Sequence, residues 1–142
     1  MDYLARREHS FYELMQKLKK KFPNTEAELL REVADALRAQ NLQSDERFAE
    51  SFVRYRISRG FAYLHIKADL SARQVSETLI DKYLAPDEAH WQQAADQLVV
   101  KKLGDSEQMS FGSKQHLKIS RFLQSRGFLP LQIRRALEKH LD

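Results

Sequence analysis

The chain has no cysteine, only four glycines and three prolines in 142 residues, and no apolar run longer than four. Without cysteine there is no disulfide framework, no thiolate zinc site and no thiol nucleophile. Seven turn-favouring residues are too few to close the many short strands of an all-β fold. A run of four apolar residues falls far short of the roughly 18 needed to cross a bilayer. The first ten residues, MDYLARREHS, carry charges where a secretory signal places its apolar stretch. A cytoplasmic protein without membrane contact is expected. β-Branched residues are scarce too: Val, Ile and Thr number 12 against 33 Leu plus Ala, a balance that favours helix over sheet. What remains is an all-α protein, long enough to bury about 68 to 70% of the surface its unfolded chain exposes.

Net charge is only +4, but residues 114–139 hold seven basic side chains against one acid. Basic character is therefore regional, and points to a polyanion or an acidic protein surface.

Helix signals recur with little loop between them. Ser10 and Glu13 read as a capping box opening a helix to about Lys21, and Pro23 and Asn24 close it. Thr25 and Glu28 read as a second box, before a helix to about Gln40 with an apolar face of Leu29, Leu30, Val33 and Leu37. The segment from Ser44 to Arg59 begins with a Ser or Asp cap and stops at Gly60, the residue type suited to a left-handed C-terminal turn. Within it Phe48, Phe52 and Tyr55 form one stripe for the core, with Val53 and Ile57 on a second apolar side and Arg47 and Arg54 on a polar one. Further helices are expected at about 62–73, 76–84, 87–103, 107–126 and 130–141.

Shifts of 52 and then 53 residues superpose Leu14, Ile66 and Ile119, then Leu18, Leu70 and Leu123, then Lys21, Arg73 and Arg126. The last two units continue in register through Val75 and Phe128, Ile80 and Ile133, and Leu84 and Leu137. Tandem helical units follow. A competing register pairs SRGFAYLHIKADL at 58–70 with SRGFLPLQIRRAL at 125–137, identical at seven of thirteen positions; spacing alone leaves both open.

The strings YLARREHSFYELMQKL at 3–18 and LQSDERFAESFVRYRISRGF at 42–61 resemble the RecX family of regulatory proteins. The family pattern "LARREHS…EL" is matched at Leu4 to Ser10, Glu13 and Leu14. A "LDD.RFA…R…G" segment is matched at Leu42, Asp45, Arg47, Phe48, Ala49, Arg56 and Gly60, with Gln43 and Ser44 departing from the usual acidic pair. Repeats of the form "RI…L…KG" are matched by Ile66 with Leu70, and by Lys118 and Ile119 with Leu123, Arg126 and Gly127; His65 departs from the basic position. The resemblance favours the 53-residue register and implies three tandem three-helix units at 1–41, 42–85 and 86–142, the first with a short leading helix over Asp2 to Glu8, joined into an elongated, curved helical array. It also implies a monomeric, non-enzymatic modulator that binds the RecA recombinase or its single-stranded DNA filament and restrains strand exchange, ATP turnover and coprotease activity, with weak direct DNA contact.

Candidate binding residues come from charge bookkeeping along the helices. A basic residue with an acid four positions earlier serves its own helix at about 0.3 to 0.5 kcal/mol; Lys17, Arg54 and Arg73 fall in this class. Arg47, Arg56, Arg59, Lys67, Arg121, Arg126 and Arg134 lack such an acid and form the candidate surface for RecA or DNA. The competing roles are a solvated helix face, a charge favourable to a helix C-terminus for Arg59 and Arg126, and local pairing for Arg47. Asp45 is read as a cap of its own helix and Phe48 as core. Trp91 groups with Ala94, Ala95 and Leu98 as core near the start of a helix at Asp87. His9 with Glu13, and His65 with Asp69, give two metal donors each, too few for a site. No phosphate-cradling loop or nucleophile elbow is present in the sequence, and no cofactor is expected. A stand-alone basic DNA-binding module, gripping phosphates through residues 114–139, is the alternative function, and a hydrolase on a helical scaffold is a third.

Overall fold

The structure, a computed structural model, describes residues 7–86 and 89–142. The expected helix over Asp2 to Glu8 and the helix start at Asp87 fall largely or wholly outside those residues. The described residues form eight helices: α1 Phe11–Lys21, α2 Ala27–Ala39, α3 Asp45–Ser58, α4 Tyr63–Ala72, α5 Glu77–Tyr83, α6 Ala89–Leu103, α7 Lys114–Arg126 and α8 Pro130–Glu138. Among them the one β feature is a bridge between Met109 and Leu141. The all-α architecture follows from the composition.

The repeat spacing is a burial pattern. Leu14, Ile66 and Ile119 are buried, as are Leu18, Leu70 and Leu123, and so are the continuing pairs Val75 and Phe128, Ile80 and Ile133, Leu84 and Leu137. One turn also recurs. At the ends of α2, α3, α4 and α7 a residue enters the left-handed region (Asn41, Gly60, Gln74 and Gly127). The next amide then donates five residues back: Leu42 to Leu37, Phe61 to Arg56, Val75 to Leu70 and Phe128 to Leu123. This Schellman geometry satisfies carbonyls the helix end leaves open.

The chain packs as two compact units. Of the described residues, one comprises 7–55 together with Asp69–Tyr83; the other comprises Arg56–Ala68 together with 84–86 and 89–142. In the first, α1 and α2 bury Leu14, Leu18, Leu30 and Ala34, flanked by Phe11, Met15 and Leu37. In the second, α6, α7 and α8 bury Trp91, Ala95, Val99, Ile119, Leu123, Phe128, Ala136 and Leu137. The Trp91 indole N–H donates to the Ala85 carbonyl at 2.6 Å, so the ring is core with its polar edge satisfied.

Four local expectations are corrected. The Ser10–Glu13 box is present in full, but α2 starts at Ala27 after Glu26 with no side-chain cap; the Thr25 amide instead donates to Phe22 in the preceding turn. The α2 contact runs through Leu30, Ala34 and Leu37, leaving Leu29 and Val33 exposed. In α3 the buried side is Phe48, Ala49 and Val53, while Tyr55 is 60% exposed: periodicity fixes an angle about the axis, not how far along it a neighbour extends. Residues 107–113 are not helical. Gly112 turns left-handed, and Ser113 caps α7 by accepting from the His116 amide.

Candidate functional site

In the first unit the strings that carry the family resemblance interlock through polar side chains. Glu13 caps α1 by accepting from the Ser10 amide at 3.1 Å, and its two oxygens also receive Arg7 and Arg73 at 3.2 Å. Asp45 does not cap α3. Its carboxylate accepts from the Phe11 amide at 2.7 Å and from the Gln43 side chain at 3.0 Å, which satisfies an orphan donor in the first turn of α1; Ser44 caps α3 instead. Gln43, itself buried, donates to the His9 carbonyl. The candidate Arg47 belongs to this junction: its Nε reaches Glu8 at 3.0 Å, and its two terminal nitrogens reach the Asn41 side chain and carbonyl at 2.8 Å. Arg73 serves its own helix as expected, reaching the Asp69 carboxylate at 3.9 Å, and in addition bonds Glu13 and lies 4.9 Å over the Phe52 ring. Glu46 accepts from Lys82 and Tyr83.

These contacts set the local electrostatics. Burial, helped by the Arg7 charge, pushes the His9 imidazole below its ordinary value. Burial pushes Glu13 upward, but the Arg7 hydrogen bond, the Ser10 amide and the Arg7 and Arg73 charges outweigh it and hold the carboxyl below the usual range. Hydrogen bonds from Lys82 and Tyr83 hold Glu46 low.

The second unit arranges its cations differently. The Arg126 guanidinium lies 4.6 Å from the centre of the Phe61 ring and 5.0 Å from that of Phe122. Arg56 is also over Phe61, at 5.2 Å, and the Lys102 ammonium is over Phe122 at 4.1 Å. Phe61, Phe122, Lys102 and Arg126, with Arg59, Lys101 and Leu98, line a groove of about 580 Å³. Beside it Lys102, Lys114, Lys118 and Phe122 line a second hollow of about 520 Å³. Lys114, Lys118, Phe122 and Arg126 stand four apart on α7 and thus along one side of it. Among the described residues no ion pair is recorded for Arg59, Lys101, Lys102, Lys114, Lys118 or Arg126.

Gly127 fixes this arrangement. The last carbonyls of α7 accept from the first turn of α4, Arg126 from the Ala62 amide at 2.7 Å and Gly127 from the Leu64 amide at 3.0 Å. At φ +100° a Cβ on Gly127 would sit 2.4 Å from the His65 nitrogen. Only glycine allows both the turn and that approach, and the approach brings Arg126 onto Phe61.

The structure therefore brings together Arg56, Arg59 and Arg126 from the candidate set. Lys67 is placed apart, with its ammonium 5.6 Å over the Tyr63 ring. Arg134 has an acid on its C-terminal side, Glu138, at 3.7 Å, which a search four residues earlier does not reveal. Arg121 is exposed and lines none of these hollows. The residues missed are Phe61, Lys101, Lys102 and Phe122; the four-residue spacing of Lys114, Lys118, Phe122 and Arg126 was the available signal.

A family model described as RecX, second three-helix domain, matches residues 44–84. These residues span α3, α4 and α5, the grouping in which α4 corresponds to α7 and α5 to α8. A protein named regulatory protein RecX from Chromohalobacter salexigens is 38% identical over 94% of this chain and 85% of its own length. One of the same name from Pseudomonas fluorescens is 34% identical over 96% of this chain and 86% of its own. The crystal structure of a regulatory protein RecX superposes with a TM-score of 0.76 at 23% identity, covering 96% of this chain and 67% of the solved one; it supports the fold. No helix among the described residues is long and apolar enough to cross a membrane.

Proposed function

Since this chain belongs to the RecX family of regulatory proteins, we propose that it binds the RecA recombinase, or the recombinase filament on single-stranded DNA, in the cytoplasm and restrains recombination, ATP turnover and coprotease activity without chemistry of its own. The observation that carries the reading is likeness along nearly the whole chain to proteins named as regulators. The cationic face of the second unit supports it: charges resting on aromatic rings and open to solvent suit an acidic surface or phosphates. A regulator of this kind acts by preferring one state of its target. Moving a two-state balance from 1:99 to 99:1 requires about 10⁴-fold preference, about 5.5 kcal/mol, so tight binding alone does not inhibit.

Cosedimentation with RecA on single-stranded DNA tests the proposal, with the chain expected in the pellet only when the recombinase is present. Absence from the pellet at low salt overturns it. The regional charge also favours a second reading, direct grip on DNA. Tight binding to DNA without recombinase, falling steeply as salt rises, would put that reading first.

A further inference from the structure

Deepening the regulator reading, on which it rests, we infer that the cationic face of the second unit receives an extended acidic segment of the protein partner, with one apolar side chain of that segment seated beside Ile57 and Leu98. Three observations meet here. The first is spacing. Residues four apart on α7 rise about 6 Å along its axis, and alternate residues of an extended peptide project to one side about every 6.6 Å. Carboxylates at alternate positions thus fall in step with Lys114, Lys118 and Arg126.

The second is preorganisation. Arg126 is held between the Phe61 and Phe122 rings, with its Nη1 also donating to the Arg59 carbonyl at 3.4 Å, which leaves the rest of a planar fork for a carboxylate and reduces the freedom lost on binding. The third is the end of the groove. It continues, through Ser58, Gly60, Phe61, Leu98 and Lys101, into a hollow of about 270 Å³ walled by Ile57, Ala94, Trp91 and Phe128. That hollow is apolar apart from its rim and has the size for one side chain.

The same features disfavour a nucleic acid. Phe61 is already engaged by two guanidinium groups, and Phe122 by one guanidinium and one ammonium. Base stacking would have to displace them. A phosphodiester chain continuing past Arg59 would also lay charge over the apolar walls around Ile57 and Trp91, where Lys101 is the one cation in the lining.

The test uses the full chain and a fluorescein-labelled peptide of alternating acidic residues ending in leucine. Its leucine-to-serine version and an oligo(dT) of matched charge serve as competitors. Lys101→Glu with Lys102→Glu, both exposed, is expected to weaken peptide binding about tenfold with unchanged circular dichroism. Ile57→Asp and the serine peptide are each expected to weaken it about fivefold. Unchanged affinity in the double charge reversal overturns the inference. So does oligo(dT) competing as well as the peptide while the serine version binds equally, which would assign the face to nucleic acid. If the double variant still cosediments fully with RecA filaments, the groove is not the contact and the inference falls while the regulator reading stands. If the wild-type chain fails to cosediment, the regulator reading falls, and the peptide titration still decides what the groove binds.

Discussion

In the first unit Arg7, Arg47 and Arg73 each end on a carboxylate, whereas in the second Arg126 lies on phenylalanine rings and Arg59, Lys101 and Lys102 face an open groove. Even where first-unit arginines lie over a ring, as Arg31 and Arg38 do over Phe11, both are also tied to Asp35. The contrast separates two uses of the same residue type. A cation bonded to a half-buried carboxylate fixes tertiary structure, because removing either partner strands the other away from water. A cation resting on a ring keeps its charge available and its side chain ordered.

Substitutions chosen from the two units break or sharpen this contrast. The largest effect is expected at Gly127, where alanine meets both an unfavourable φ and the His65 backbone. Gly127→Ala should cost about 3 kcal/mol in urea unfolding, and with it the Phe61–Arg126 contact. Glu13 comes next, as the shared acceptor of Ser10, Arg7 and Arg73; Glu13→Ala should cost about 2 kcal/mol, leaving two arginines without that partner. Arg47→Ala should lose about 1 to 2 kcal/mol of stability with the Glu8 and Asn41 bonds. Arg59→Ala should stay within about 0.5 kcal/mol of wild type yet weaken cosedimentation with the filament. The opposite ranking of Arg47 and Arg59 in those two measurements would dissolve the contrast.

Smaller and graded is the response to pH. The folded value of Glu13 lies below its unfolded value, so the unfolded chain binds more protons as pH falls below about 4.5. Its contribution is complete above that value and is lost as pH drops through the folded one. His9 is also lowered in the folded chain. Its contribution is complete above about 6.5 and declines as pH falls towards its folded value, since protonation favours the unfolded state. Urea midpoints at pH 7, 5.5 and 4 should therefore fall in that order, and Glu13→Gln should flatten the lower step.

Much of the first unit and of the repeat was legible because local chemistry wrote it. The Ser10–Glu13 box, the left-handed turn at Gly60, and the repeated spacing of Leu14, Ile66 and Ile119 all express forces acting within a few residues. Charge partners were legible only when they were local. Arg54 pairs with Glu50 as its spacing implies. Arg47 finds Glu8 from 39 residues away and Arg73 finds Glu13 from 60, and no helical period encodes either separation. The binding face is split in the same way. The row of Lys114, Lys118, Phe122 and Arg126 can be read from the chain, whereas the arrival of Phe61 and Lys102 against it cannot.

The sequence by itself determined that the protein is helical, where most helices stop, and which apolar positions repeat, because backbone propensity, capping and side-chain period are properties of neighbouring residues. Only the tertiary structure decided which arginines became internal ties and which stayed open. That outcome depends on which groups meet across tens of residues, and on how much water is left around them once they have met.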